Sequence, residues 1–378
     1  MRTDFDSTFV SSVTCSLFVS KSVLNDSGYR SNRTPAVCLT YFGLIAIRTG
    51  NAQAPLKPFV PDSRSERVFA RAAAVWGMAA GDVTTVSACT DLHYVDTGMY
   101  DTPGYGAVYV LDADRPAVID TGIGTHHDRV LDALDELGVE PAVICPTHVH
   151  LDHAGGVGFL AEAFPDATVR VHERGARHLV DPGRLVAGTK AAVGDQWTHY
   201  VDPQPVPADR VEPLTDGEEI DLGSRRLVTH HAPGHAPHQV VFHEPADEAV
   251  FTADAVGIYV PEIDAVRQTT PPSQFDLDEA LADVDTVADC DPETLCYPHF
   301  GPVAASEELL SGYKRTLVEW VATVRQARET EPDDEAVVDR FVDAVDADLV
   351  DAWGEEKARA EERLNTRGVL GALDDGDA

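Results

Sequence analysis

Short apolar strands alternating with amphipathic helical stretches predict an α/β fold, a sandwich of sheets covered by helices. Three observations carry this expectation. Ala107–Leu111 and Ala117–Ile119 are apolar runs separated by the turn-forming segment Asp112-Ala-Asp-Arg-Pro116, which predicts a hairpin. His127–Leu137 follows with Val130, Leu131, Leu134 and Leu137 at helical spacing. From Ser306 the chain turns helical, with Leu309, Leu310, Tyr313, Leu317, Trp320, Val321 and Val324 on one stripe.

Between these landmarks the elements follow in order. Ala142–Cys145 reads as a short buried strand and Gly156–Phe164 as a helix. Strands return at Thr168–His172, Glu219–Leu222, Arg226–His230, Val240–His243 and Ala249–Thr252. The segment Leu185–Pro213 carries Pro203, Pro205 and Pro207 and reads as a loop. Glu307 and Glu308 suit the N-terminus of the helix after Ser306, where acidic side chains complement the helix dipole. A further helical stretch is expected at about Asp333–Trp353, and Leu373–Ala378 reads as a frayed acidic tail.

The charge balance excludes several function classes. The 378 residues carry 29 Lys and Arg against 64 Asp and Glu, a formal net charge of −35. A surface this acidic repels phosphate backbones and anionic lipid, so no nucleic-acid or membrane partner is expected. Only five of the basic residues are Lys. Abundant acid with little Lys is the composition expected of a surface adapted to concentrated salt. No apolar run is long enough to span a bilayer; the longest candidate is Ala36–Ile47. The six cysteines form no CxxC pair and are read as reduced thiols, mostly buried, in a cytoplasmic protein.

Composition also divides the chain. Residues 1–77 hold nine basic and five acidic residues, a net of +4, which leaves −39 on the rest. They are rich in Ser, Thr and Asn without sustained periodicity and read as disordered, or as upstream sequence preceding a true start at Met78. A targeting peptide ending near Ala52-Gln53-Ala54 is a weaker reading, because its charged lead-in is too long. The expected organisation is therefore an extension at 1–77, a catalytic domain at 78–305 and a helical region at 306–378.

One segment carries most of the chemistry: Thr147-His148-Val149-His150-Leu151-Asp152-His153-Ala154-Gly155-Gly156. Four potential metal ligands fall within six residues, just after a buried strand and before a helix. Imidazole and carboxylate are the ligands of zinc where thiolate is absent. On extended backbone His148 and His150 can reach one ion, while Asp152 and His153 turn toward a neighbouring one.

This pattern resembles the metal-binding motif of the metallo-β-lactamase-fold hydrolases, particularly their glyoxalase II-like branch. Four further motifs of that family are matched in order. They are Val118-Ile119-Asp120-Thr121-Gly122, Ala232-Pro233-Gly234-His235, Phe251-Thr252-Ala253-Asp254 and Tyr297-Pro298-His299-Phe300-Gly301. Ala253 departs from the family, which commonly has Gly there. The resemblance covers about residues 83–305 and implies a four-layer αββα sandwich with a C-terminal helical extension. It places His148, His150 and His235 on a first metal, Asp152, His153 and His299 on a second, and Asp254 between the two. Asp120 would orient a ligand. Two zinc ions are implied, with iron or manganese as alternatives, and a metal-bound hydroxide attacking a thioester, ester or lactone carbonyl of a small-molecule substrate.

The alternative is an oxidoreductase resembling the persulfide dioxygenases, which keep one iron on two His and an Asp and use few of the second-metal ligands. His126, His127, His172, His178, His199 and His243 fit no ligand spacing, and His230 and His231 read as structural. His238 stands three residues after His235 and is a candidate for the substrate site; the family often has His where this chain has Gln239. Tyr259, Arg267 and Gln268 are candidate substrate contacts. The stripe around Trp320 reads as core together with a homodimer contact.

Overall fold

The computed structural model describes residues 79–376 except 273. The expectations for residues 1–77, for Met78 and for the last two residues lie outside the described residues.

Seven strands form the first sheet in sequence order: β1 (Val83–Thr85), β2 (Leu92–Asp96), β3 (Ala107–Leu111), β4 (Ala117–Ile119), β5 (Val143–Cys145), β6 (Thr168–His172) and β7 (Val211–Leu214). Pairing is antiparallel from β1 to β4 and parallel from β4 to β7. The parallel half needs crossovers, and helices supply them. These are α1 (His127–Leu137), α2 (Leu151–Ala154), α3 (Val157–Ala163), α4 (Glu173–Val180) and α5 (Gly183–Val193).

The second sheet contains β8 (Glu219–Asp221), β9 (Arg226–His231), β10 (Val240–Glu244) and β11 (Ala249–Phe251). After a separate ribbon of β12 (Ile258–Val260) and β13 (Ala265–Arg267), it adds β14 (Thr294–Tyr297) and β15 (Gly301–Ala304). Its spatial order is β15-β14-β11-β10-β9-β8, parallel only between β11 and β14. Helix α6 (Leu277–Asp289) precedes β14, and α7 (Glu307–Thr330), α8 (Asp334–Asp343), α9 (Ala347–Trp353) and α10 (Glu355–Asp375) complete the chain.

Strand alternation builds the layers. Tyr109 and Leu111 of β3 point inward to meet Phe242 and Phe251 of the second sheet. Val108 and Val110, on the other face of the same strand, pack under Val130 and Leu134 of α1 and Leu160 of α3. On the far side, Val241, Val250 and Leu295 meet Val284 and Val287 of α6 and Leu317 and Val321 of α7. Helix, sheet, sheet, helix is the four-layer order that results. Burying a side chain such as Phe242 contributes roughly 2–3 kcal/mol, whereas an exposed ion pair contributes at most about 1 kcal/mol. The apolar layers therefore hold the sandwich together.

The helices after Ser306 join this core. Ser306 caps α7, its hydroxyl oxygen accepting from the Leu309 amide at 3.2 Å. Of the sequence stripe, Leu310, Tyr313, Leu317, Val321 and Val324 are buried, while Leu309 and Trp320 are half-buried. The stretch expected at Asp333–Trp353 is two helices, α8 and α9, broken at Ala344–Asp346. Helix α10 takes up the first half of the expected tail, running to Asp375. Leu185–Pro213 also differs from the expected loop: its first half is α5 and a 3-10 turn at Gly194–His199. Gly and Ala dilute the apolar pattern of α5, which buries no residue completely. Among the described residues, no helix is long and apolar enough to cross a membrane.

Candidate metal centre

Most of the candidate site residues follow a strand end, while Asp152 and His153 lie on the short helix α2 just after His150. Asp120 follows β4, His148 and His150 follow β5, His235 follows β9, Asp254 follows β11 and His299 follows β14. Parallel pairing of β4 with β5 and of β11 with β14 brings those ends to one edge. Sequence-distant side chains converge there.

Three groups of ligand atoms lie within 4.8 Å of one another: His148 with His150 and His235, Asp152 with His153 and His299, and His148 with His153 and Asp254. The third group spans the other two. Asp254 Oδ2 lies 3.2 Å from His235 Nε2 and 3.6 Å from His153 Nε2, and its Oδ1 lies 3.6 Å from His299 Nε2. His150 Nδ1 and His235 Nε2 are 3.1 Å apart.

The outward nitrogen of several rings is anchored, which turns the other nitrogen to the centre. His235 Nδ1–H donates to the Thr269 carbonyl at 3.3 Å and His299 Nδ1–H to the Tyr105 carbonyl at 2.8 Å. His153 Nδ1–H donates to Asp120 Oδ2 at 3.0 Å. Asp120 Oδ1 accepts from the Thr147 amide at 2.7 Å and hydroxyl at 2.9 Å, so it braces the turn that carries His148 as well. His148 Nε2, His153 Nε2 and Asp254 Oδ1 are buried without a hydrogen-bond partner. Such orphans are costly and rare; metal ions satisfy all three, so the residues present fit a metal.

The protonation states suit ligation. Burial and then its His neighbours hold His148 well below its ordinary value, and burial and His235 push His150 down to about 3. Burial lowers His235 despite Asp254. These imidazoles keep a free lone pair at neutral pH. Burial would raise Asp254, but His235, His153 and His299 hold it far below the usual carboxylate range. Burial alone would lower His153; the carboxylates of Asp254, Asp152 and Asp120 instead raise it well above its ordinary value. A metal there must displace that proton, so binding weakens as pH falls.

Backbone strain gathers at the same edge. Asp120, Ala253 and Phe300 adopt left-handed φ values of 57°, 49° and 64°, at about 1 kcal/mol each. Ala253 therefore occupies a conformation that Gly adopts freely, which accounts physically for Gly being common there. A Cβ on Gly155 would lie 2.6 Å from the Gly124 amide nitrogen, which explains Gly at that position.

A cavity of about 630 Å³ opens onto the centre, lined by His150, Asp152, His235, Asp254 and His299 and by residues of α5 and α10. His238 lines it, its ring 5.6 Å from that of His150. Gln239 instead turns into the fold, its amide donating to the Ala232 carbonyl and its oxygen accepting from the Asp254 amide. Tyr259, Arg267 and Gln268 do not line the cavity. The Tyr259 hydroxyl donates to Asp264 at 2.8 Å, and Arg267 lies 3.3 Å from Glu362.

Several lining residues carry no recognisable sequence pattern. Tyr100, at φ 56°, shares a hydrogen bond between its hydroxyl and that of Tyr200, and Lys357 Nζ sits 3.7 Å from the Tyr100 ring centre. Only the folded chain brings these three segments together.

The Pro-Gly-His turn has a buried acidic support. The Gly234 amide donates to Asp283 Oδ2 at 2.7 Å. Burial, opposed by that hydrogen bond and aided by Glu279 and Asp276, pushes Asp283 up from 3.8 to about 7. Between those values the unfolded chain releases a proton that the fold retains, so stability falls as pH rises through that window. Asp283→Asn keeps the acceptor and removes the ionisation. It is expected to raise stability by on the order of 2 kcal/mol at pH 8 and to change little below pH 4, as urea unfolding at the two pH values would read.

With this geometry in view, the sequence profile described as the Metallo-beta-lactamase superfamily matches residues 101–299. The chain belongs to the metallo-beta-lactamase superfamily. It is thus a hydrolase of a superfamily whose active sites are metal-dependent. A metallo-beta-lactamase fold-containing protein of Sulfurisphaera tokodaii is 29% identical over 191 residues, 49% of this chain and 69% of that protein. An acyl-coenzyme A thioesterase of Gallus gallus is 26% identical over 182 residues, 44% of this chain and 62% of its own length. A hydroxyacylglutathione hydrolase of Salmonella paratyphi A is 35% identical over 102 residues, 25% of this chain and 38% of that enzyme. A crystal structure of an archaeal superfamily protein from Sulfolobus tokodaii superposes with a TM-score of 0.58 at 24% identity, over 75% of this chain and 99% of that one. This likeness shows the superfamily fold.

Proposed function

We propose that this chain is a dinuclear, zinc-dependent hydrolase of thioester, ester or lactone substrates. The observation that carries the reading is the pair of ligand clusters meeting at Asp254, with buried orphan atoms on His148, His153 and Asp254 itself. His148, His150 and His235 would hold one ion, Asp152, His153 and His299 the other, and Asp254 both. Bound there, two divalent ions would activate water and polarise a carbonyl.

The chain's own groups do the rest. Asp254 and Asp152 offset part of the metal charge. Burial keeps Tyr100 and Tyr200 protonated, with nearby Asp152 adding to the effect, so either phenol can donate to a bound substrate. Leu185, Ala191, Ala192 and Leu364 give the cavity apolar wall suited to an acyl chain. The names of the thioesterase and hydroxyacylglutathione hydrolase relatives support a thioester as the first substrate to test. An oxygenase with one iron would leave Asp152, His153 and His299 without a role, which favours hydrolysis.

Asp120 acts through His153 in this reading. Asp120→Ala is expected to weaken metal retention by about 10–100-fold, measured by competition with a chelator. The function itself is tested by thiol release from a thioester panel and by ring opening of lactones. Metal-dependent turnover on at least one class supports the proposal; persulfide-dependent oxygen uptake without hydrolysis would overturn it.

A further inference from the structure

Away from the cavity, a second set of metal-binding side chains is assembled on the outer face of the second sheet. In the β9–β10 ladder His230 lies opposite Val241. Val241 and His243 share a face by the two-residue period, so the two imidazoles are diagonal neighbours on it. Val241 belongs to the core beneath α6 and α7, which identifies this as the helix-covered face. Cys290 caps the C-terminus of α6 and packs against the same core. It comes down onto the two histidines, and the ligand atoms of His230, His243 and Cys290 lie within 4.8 Å of one another.

Both histidines carry a buried, partnerless Nε2. The Cys290 thiol donates only a weak bond within its own helix, to the Thr286 carbonyl at 3.4 Å. Two orphaned imidazole nitrogens beside a thiol in a half-buried setting have no structural explanation in the protein alone. No ligand spacing in the sequence marks these histidines, because they meet Cys290 only across the ladder and the helix end.

We propose that His230, His243 and Cys290 form a further metal site, distinct from the catalytic centre, for a thiophilic divalent ion of the zinc type. Two imidazoles and a thiolate are a zinc donor set, with water completing four-coordination. On binding, sulfur forms a bond to the metal and the thiol proton leaves to solvent. The ion ties the C-terminal end of α6 to β9 and β10. The N-cap and the middle of that helix already hold the catalytic turn, the Asp276 amide donating to the Gly234 carbonyl at 3.0 Å and Asp283 accepting from the Gly234 amide. The site therefore clamps a helix that supports the catalytic loop without entering the cavity.

Cobalt(II) distinguishes the two kinds of site, because the catalytic ligands are all nitrogen and oxygen. Chelator-treated full-length protein titrated with cobalt should develop the near-ultraviolet thiolate-to-cobalt charge-transfer band. Cys290→Ser should abolish the band, and His243→Gln should weaken it. Zinc content should fall by one per chain in Cys290→Ser while thioester hydrolysis stays at the wild-type level. A wild-type titration that saturates without the band would overturn the proposal, and so would a band that persists in Cys290→Ser. Because the first of these uses the unaltered protein, it holds even if a variant fails to fold.

Discussion

Asp254→Ala is expected to reduce thioester hydrolysis by at least about 10³-fold while leaving the fold intact. The Asp254 carboxylate touches His235, His153 and His299, so it belongs to both ligand clusters at once. Its loss leaves His153 without one of the carboxylates that surround it and would leave both proposed metals undercompensated. The backbone is held independently of the side chain: the Asp254 amide donates to Gln239 Oε1 at 3.2 Å, and its carbonyl accepts from the Thr269 hydroxyl at 2.9 Å. Circular dichroism should therefore match the wild type while thiol release collapses. Near-normal turnover would show that Asp254 does not link the two clusters.

The second large effect is expected far along the chain, at Gly368 of α10. A Cβ there would lie 1.8 Å from the Thr270 carbonyl oxygen, so helix and loop are in backbone contact. Asn365, one turn earlier, accepts from the Thr270 amide at 2.6 Å, and its own carbonyl accepts from the Thr270 hydroxyl at 2.9 Å. The adjoining Thr269 carbonyl anchors His235. Gly368→Val should force the helix off the loop, lowering stability by about 2–3 kcal/mol and lowering kcat through the displaced His235. Urea unfolding and steady-state kinetics read the two consequences; an unchanged unfolding midpoint would contradict the close approach.

These two positions show what a sequence can and cannot reveal. His148, His150, Asp152 and His153 are legible because ligand chemistry is concentrated in one short stretch at the end of a buried strand. Asp120, His235, Asp254 and His299 are legible once that stretch suggests a family, since each ends a strand in a recognisable local motif. Helix α10 is different. Its inward face carries Lys357, Glu362, Asn365 and Thr366, all buried, so no apolar stripe announces it. Two of those polar groups have distant partners, Glu362 in Arg267 and Asn365 in Thr270, while Lys357 and Thr366 bond to Glu361 and the Glu362 carbonyl within the helix. Three-residue strands such as β12 and β13 are too short to show a period. Tyr100, Tyr200 and Lys357 meet only through the fold, as do His230, His243 and Cys290.

Two metal ions are proposed to share this site, and the metal content of purified protein decides whether they do. Elemental mass spectrometry on the Cys290→Ser background, which removes the further site from the count, should find two zinc per chain, falling to about one when His299→Ala is added. One iron per chain, unchanged by His299→Ala, would contradict the dinuclear hydrolase.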